Sequence, residues 1–326
     1  MKNTNTATTE FAWLIRREIW EHKLVTWGPG ILALLIIVSG LTSLLHLNHV
    51  GIVLDGPEEL QTLAHLPQAK LDLIAGGMII AVTMLFLMLA NALQFFYAAD
   101  TLYAERAQRT ILFWKSMPVS DLRTVLSKLV VAAVVMPAVA LLAALVTDLV
   151  LAMVIGVQFR AIQGVAGALS DPAVWWHSLR ICLYVFVTSA LWYLPVVAWM
   201  LLISAWMPIA RGMRFGRSPM LVAILIPVAV MIAEAFALHT KYFYGLVMER
   251  VTFFGYFRTM PHGLHANFNG EDLGDMHVTS TLGALADALI HPLDFLVAPE
   301  VWGGLLFCIP LIAGAVYCRR RSENRG

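Results

Sequence analysis

The chain has 326 residues, of which 60% are hydrophobic and only 13% are charged, and its formal net charge is +1. A soluble globular domain has about 25% charged residues, so this composition argues against a soluble protein and predicts an integral membrane protein. The small net charge gives no indication of nucleic-acid binding, and the positions of the charges are more informative than their sum.

The first predicted element is an amphipathic helix over residues 10–23. Three Trp residues recur at seven-residue intervals, close to two helical turns, so they share one stripe. Trp favours the headgroup region, and neighbouring Arg side chains suit an anionic inner leaflet. We therefore expect an interfacial helix followed by a bend near Gly28–Pro29, the alternative being a frayed extension that only positions the first span. The residues expected to contact membrane lipids are Trp13, Arg16, Arg17 and Trp20.

Six apolar runs are long enough to cross a bilayer, which takes about 20 residues. Lys and Arg concentrate in the N-terminal segment, in the loops after the second and fourth spans, and in the tail. The positive-inside rule then predicts that both termini are cytoplasmic, in an inner membrane of the bacterial type. The predicted fold is an all-α, polytopic bundle that forms one transmembrane domain over residues 1–326. The predicted spans are residues 24–47, 73–98, 129–157, 181–207, 220–238 and 301–317.

The polar segment between the second and third spans, residues 100–128, is basic and rich in aromatic residues. A loop that only connects two spans has no need of three aromatic side chains, and aromatic residues and Arg carry much of the energy of protein interfaces. We interpret the segment as a docking surface for a soluble partner; the alternative is that its charges orient the protein and its aromatics anchor it to the membrane. The docking residues proposed from the sequence are Tyr103, Glu105, Arg106, Arg109, Thr110, Phe113, Trp114 and Lys115.

The same segment resembles the cytoplasmic loop between spans two and three of type 2 ABC transporter permeases. The shared pattern is an acidic–Arg pair, a Thr, an apolar run, a Pro and a Lys that opens the next span. In this chain these are Glu105–Arg106, Thr110, residues 111–113, Pro118 and Lys128. The rest of the chain fits that family by its layout.

The resemblance implies that this segment holds a coupling helix docked on an ABC ATPase, and that the N-terminal helix is an elbow helix. It also implies an exporter built from a homodimer of this chain and two ATPase subunits, which would bind ATP and Mg²⁺. We find no phosphate-binding or dinucleotide glycine motif in the chain itself, so the ATPase must be another chain. No catalytic residue, cofactor or metal site is expected here, because the ten His show no ligand spacing.

Three polar residues inside predicted spans are candidates for a substrate path or a switch. Glu234 should face a cavity or a polar partner, or be protonated, because a carboxylate is costly there. It is either a contact for substrate or for switching between spans, or a structural hydrogen-bonding group. Asn91 and Gln94 are three apart on one helix face, and either join helices by hydrogen bonds or line a conduit. A further acid, Asp148, is expected to reach the outer interface.

The segment 239–300 is expected on the outer side, with short helices near its end. Two other functions stay open: a stand-alone secondary carrier, or a membrane scaffold or sensor that binds a cytoplasmic partner through residues 100–128. A carrier is expected to show two related halves, and the sequence has no such repeat. The sequence does not identify the substrate, and an export direction follows only from the family resemblance.

Overall fold

The structure, a computed structural model, describes residues 4–45, 65–108, 120–159, 163–208, 218–251 and 281–321. Within these ranges every regular element is a helix. Six of the helices are long and apolar enough to cross a membrane. The prediction of an all-helical fold with six helices long and apolar enough to cross a membrane is confirmed for the described residues.

The six spans are α2, α3, α4, α6, α7 and α11, and shorter helices lie before and between them. α4 and α7 each include one π-helical turn, Val131–Val135 and Glu234–Leu238 respectively. In chain order the helices are α1 (Thr4–Glu21), α2 (Leu24–Leu45), α3 (Gln68–Ala107), α4 (Asp121–Gln158), α5 (Gln163–Ser170), α6 (Pro172–Trp206), α7 (Pro219–Leu238), α8 (Tyr242–Val251), α9 (Leu282–Leu289), α10 (Pro292–Val297) and α11 (Pro299–Arg321).

The break between the N-terminal helix and the first span lies at His22 and Lys23, not at Gly28–Pro29 as the sequence suggested. Pro29 is inside α2, where it removes only one backbone donor, a loss that membrane helices tolerate. The earlier break lets α1 turn back against the start of α4.

The centre of the bundle is formed by α3, α4 and α6, and α11 packs along α6. Fully buried alanines at the contacts allow close approach of the helices. α2 and α7 are peripheral, because only 6% and 11% of their spans are buried, against 56% for α6. Their apolar outer faces are therefore available to lipid or to another apolar surface. The buried alanines include Ala98, Ala132, Ala140, Ala144 and Ala198.

The π turn in α4 immediately precedes Pro137. A Pro inside a helix lacks the N–H that would bond the carbonyl four residues earlier, and its ring crowds that carbonyl. A π turn widens the helix locally, which explains how α4 continues through Pro137 without a break.

The bundle has two chemically different ends. At the first, which we call the charged end, α1 meets the last turn of α3, the first turns of α4 and the last turn of α11. The opposite end, which we call the far end, carries α5, α8, α9 and α10. The helices α9 and α10 lie in the part of the chain where the sequence suggests short helices.

Arg250 of α8 fixes that helix to the bundle. Its guanidinium lies 4.1 Å from the centre of the Trp192 ring, and it donates hydrogen bonds to the backbone oxygens of Trp192, at 3.2 Å, and of Glu300. A Cβ at Gly304 would lie 2.7 Å from Arg250 Nη2. The glycine therefore makes room for the guanidinium against α11. Burial lowers the pKa of Arg250.

Candidate functional site

The most distinctive polar site is a group of buried ionic side chains at the charged end. We call it the charged cluster. It joins four helices from the beginning, middle and end of the described chain, and its central members are buried. The cluster consists of Arg17 and Glu18 from α1, Glu105 from α3, Asp121 and Lys128 from α4, and Arg319 from α11.

Lys128 is at the centre of the charged cluster and its side chain is completely buried. Its Nζ lies 2.9 Å from both carboxylate oxygens of Glu18, 2.9 Å from Glu105 Oε1 and 2.8 Å from Thr101 Oγ1. An ammonium group has three N–H donors, and four oxygens surround this one. The cost of burying the charge is therefore offset by pairing on two sides.

Glu18 brings α1 into the cluster. Its carboxylate accepts hydrogen bonds from Lys128, from Arg17 and, at 2.9 Å, from the Tyr97 hydroxyl. Burial by itself raises the pKa of Glu18, but the charges of Lys128 and Arg17 outweigh burial and lower it to about 2. Burial lowers the pKa of Arg17, but the nearby carboxylates of Glu18, Glu21 and Glu105 outweigh burial and raise it. The pair is therefore ionised at neutral pH.

Arg319 connects the end of the chain to both sides of the segment 109–119. Its Nη1 donates to Glu105 Oε2 at 2.6 Å, and its Nε donates to Asp121 Oδ1 at 3.0 Å. Glu105 is in the last turn of α3, and Asp121 is the first residue of α4. One guanidinium thus holds together the two helix ends between which that segment runs.

Three of the proposed docking residues are described. Glu105 is buried in the charged cluster, so its carboxylate faces the protein interior. Tyr103 and Arg106 are half-buried; Arg106 lies 5.9 Å from the Tyr103 ring centre and donates to the backbone oxygen of Ser204 at 2.6 Å. The other five lie outside the described residues, as does the segment expected to form the coupling helix. These five are Arg109, Thr110, Phe113, Trp114 and Lys115.

The four residues of α1 that the sequence predicts at the membrane surface divide into two faces. Trp13 and Trp20 are 61% and 64% exposed, and the Arg16 guanidinium lies 5.3 and 4.7 Å from their ring centres. This exposed aromatic and cationic stripe agrees with the spacing argument made from the sequence. Arg17 differs, because it points into the charged cluster, 3.5 Å from Glu105 Oε1.

The Glu234 carboxylate caps the first turn of α8. It accepts hydrogen bonds from Thr240 Oγ1 at 2.9 Å, from the Phe243 N–H at 3.0 Å and from the Tyr244 N–H at 3.2 Å. N–H groups in the first turn of a helix have no partner within the helix. Of the two interpretations of Glu234, these contacts agree with the structural one.

Asn91 and Gln94 are both buried on α3. Gln94 Nε2 donates to Asn91 Oδ1 at 2.8 Å, so this hydrogen bond lies within one helix and does not join two. Asn91 Nδ2 is buried and has no hydrogen-bond partner among the residues that the structure describes.

A cleft of about 330 Å³ opens beside the charged cluster, between the end of α1, α3 and the start of α7. This volume is at the lower end of the range of small-molecule sites. Its lining is mostly apolar, with polar groups contributed by His22 and Asp100. The lining includes His22, Leu93, Phe96, Tyr97, Asp100 and Met220.

Glu18, Glu21 and His22 bring their ligand atoms within 4.8 Å of one another, a spacing that suits a metal ion. Lys128 and Arg17 already neutralise Glu18, however, and their positive charges oppose a second cation. Burial lowers the pKa of His22 and favours its neutral form, which is the form that binds metals, but the two positive charges beside Glu18 outweigh this. We assign no metal to this group.

The sequence argument missed the pairing of Glu18 with Lys128 and the role of Arg319. The signal was present as acidic and basic residues that flank apolar runs, but the partners are about 110 and 214 positions apart.

No protein-family model, curated protein or solved structure matches this chain.

Proposed function

We propose that this chain is the membrane-spanning permease subunit of an ATP-driven ABC exporter, with ATP hydrolysed by a separate subunit. The observation that supports it is the link made by Arg319 between Glu105 and Asp121. These two residues flank the segment whose residues resemble a coupling helix. A partner docked on that segment would act on a mechanically connected end of the bundle.

In the proposed mechanism, the docked ATPase displaces residues 109–119 and with them the ends of α3 and α4. Arg319 passes this displacement to α11, and the Lys128–Glu18 pair passes it to α1. The cluster moves as a unit because separating one partner of a buried ion pair costs about 3–5 kcal/mol. ATP binding drives the change only if the ATP-bound ATPase binds one bundle conformation more tightly than the other.

The proposed assembly is a homodimer with two ATPase subunits, in an inner membrane with both termini cytoplasmic. The charged end, with residues 109–119, would then face the cytoplasm. The peripheral spans α2 and α7 offer the apolar surface for the second copy; Leu34, Leu35, Leu225 and Ile232 are among their exposed side chains. Membrane lipid would suit the same surface.

The first test is extraction of the tagged protein in mild detergent after chemical cross-linking, with mass spectrometry of the proteins that remain bound. We expect a soluble ATPase in stoichiometric amount, lost with Trp114→Ala. The matched control is Trp176→Ala, which removes a 61% exposed Trp at the far end and should leave the complex intact. Equal loss in both variants would argue against docking through Trp114.

A second variant separates docking from coupling. Arg319→Gln should leave the ATPase bound, because Arg319 is buried inside the bundle, but should reduce substrate-stimulated ATP hydrolysis. If ATPase recovery is absent from all samples, the proposal fails, and a stand-alone carrier or scaffold becomes the better interpretation.

A further inference from the structure

Asp148 is another buried acid, and it lies in the interior of the bundle with no role in the charged cluster. It is about 40 Å along α4 from Asp121, at 1.5 Å per residue, and therefore toward the far end. The residue is 3% exposed, and its neighbour Thr147 donates its hydroxyl to the backbone oxygen of Ala143.

The hydrogen bond described for the Asp148 carboxyl group comes from a neutral donor. Thr83 Oγ1, on α3, lies 3.3 Å from Asp148 Oδ2, which is long for a hydroxyl hydrogen bond. Thr83 is fully buried. One long neutral bond offsets little of the several kcal/mol that burying a carboxylate costs.

Among the residues that the structure describes, no cation faces Asp148 from the helices packed against this part of α4. α2 and α5 contain no charged residue, and α3 has none between Asp72 and Asp100. On α6 the ionisable groups near this level are His177, Arg180, Cys182 and Tyr184. Arg180 pairs with Asp287 at 2.8 Å. It lies 200° around the axis of α6 from Cys182, and therefore on nearly the opposite side of that helix.

Glu234 provides the contrast within the same protein. It too is a buried acid in a span, but two backbone N–H groups and a hydroxyl donate to its carboxylate. Such donors favour the charged form, whereas burial beside a lone hydroxyl favours the neutral form. The two acids should therefore differ in protonation at the same pH.

We propose that Asp148 is a proton-binding site that is occupied at neutral pH in the packed bundle and releases its proton when the packing around it opens. On release, the O–H bond of the carboxylic acid breaks, the proton passes to water, and the carboxylate becomes hydrated. Opening of this region and loss of one proton are then linked, so rising pH favours opening. The site does not depend on the ATPase proposal.

Two further features of α6 belong to this region. Cys182 is fully buried, and Ser178, one turn away on the same face, has a buried hydroxyl without a hydrogen-bond partner. The hydroxyl is available to hydrogen-bond a water that enters on opening. The thiol is a built-in reporter of opening, and Cys308 on α11, 3% exposed, is its matched control.

The protonation is tested by infrared spectroscopy of the purified full-length protein at pH 7. The carbonyl stretch of a protonated carboxylic acid should be present in wild type and in Glu234→Gln, and lost in Asp148→Asn. An identical band in Asp148→Asn overturns the proposal, as does loss of the band on adding sodium at constant pH, which would assign the site to sodium. If Asp148→Asn does not fold, Thr83→Val is measured instead. Because Thr83 is the described hydrogen-bond partner of Asp148, its loss should shift the frequency of the carbonyl band. An unchanged frequency in Thr83→Val would also overturn the proposal.

The linkage is tested by thiol labelling in a Cys318→Ser background. The ratio of Cys182 to Cys308 labelling should rise with pH by up to about tenfold per pH unit, the slope for one linked proton. In Asp148→Asn the ratio should become independent of pH. A flat ratio in wild type, or the same rise in Asp148→Asn, overturns the linkage.

Discussion

Replacement of Lys128 by Met is the sharpest test of the charged cluster. The ammonium is fully buried with four oxygen neighbours at 2.8–2.9 Å. Met has a similar length and no charge, so the change removes the pairing with little change in volume. Loss of one partner of a buried ion pair costs about 3–5 kcal/mol. Because Arg17 still pairs with Glu18 and Arg319 with Glu105, we expect the lower end, about 3 kcal/mol.

The assay is thermal unfolding in detergent, followed with a thiol-reactive dye. Cys182 and Cys308 are buried free thiols, and the partly exposed Cys318 is replaced by Ser in every variant. At one fixed pH, the steep rise in labelling of the two buried thiols on heating then reports unfolding of the bundle. With an unfolding entropy of about 2.1 cal/mol/K per residue, a loss of about 3 kcal/mol lowers the Tm by about 4 °C. The matched control is Lys70→Met, which removes an exposed Lys at the far end and should leave the Tm unchanged.

A double variant separates the ion pair from simple packing. In Lys128→Met with Glu18→Gln neither side chain is charged, so no carboxylate on α1 is left without its main partner. Replacing both members of a buried pair is often nearly neutral, and we expect at least half of the lost stability to return. If the Tm of Lys128→Met lies within about 1 °C of the wild-type Tm, the account of a paired, dehydrated cluster is wrong. It is also wrong if the double variant loses more stability than the two single variants lose together.

Three further predictions concern Glu18, Arg250 and Glu234. The pKa of Glu18 is held at about 2, below its ordinary value of 4.5. Its ionised form therefore contributes about 3 kcal/mol to folding stability above pH 4.5, and this contribution is lost as the pH falls towards 2. Glu18→Gln should flatten the dependence of Tm on pH between those two values. Arg250→Ala removes the contact with Trp192 and two hydrogen bonds, which should cost about 2 kcal/mol and speed amide exchange in residues 242–251; unchanged exchange would contradict the anchoring role. Glu234→Gln should weaken the cap of α8 by about 1 kcal/mol without altering transport, and a transport defect with unchanged exchange would instead favour the functional interpretation.

The all-helical fold and the six spans were predictable because hydrophobic runs of about 20 residues have few alternatives in a bilayer, where backbone groups must bond within the segment. The exposed stripe of Trp13 and Trp20 was predictable for a similar local reason, since helical spacing fixes which residues share a face. The position of the break between α1 and α2, at His22, was not predictable from the sequence, because Gly28–Pro29 is the stronger local signal. Tertiary packing of Glu18 decided between them.

The charged cluster shows where local sequence information ends. Apolar runs and basic flanks are properties of neighbouring residues, and they indicate spans without reference to the rest of the chain. The helix faces that come together decide the neighbours of each charged group. They decide whether Glu105 faces a soluble partner or Lys128. They also decide whether Asp148 meets a cation or only Thr83. The sequence alone therefore determined the membrane-spanning helical class and the aromatic stripe. Only the tertiary structure decided which charges are paired and which acid is left with a neutral partner, because partners on different helices lie between 23 and 214 residues apart.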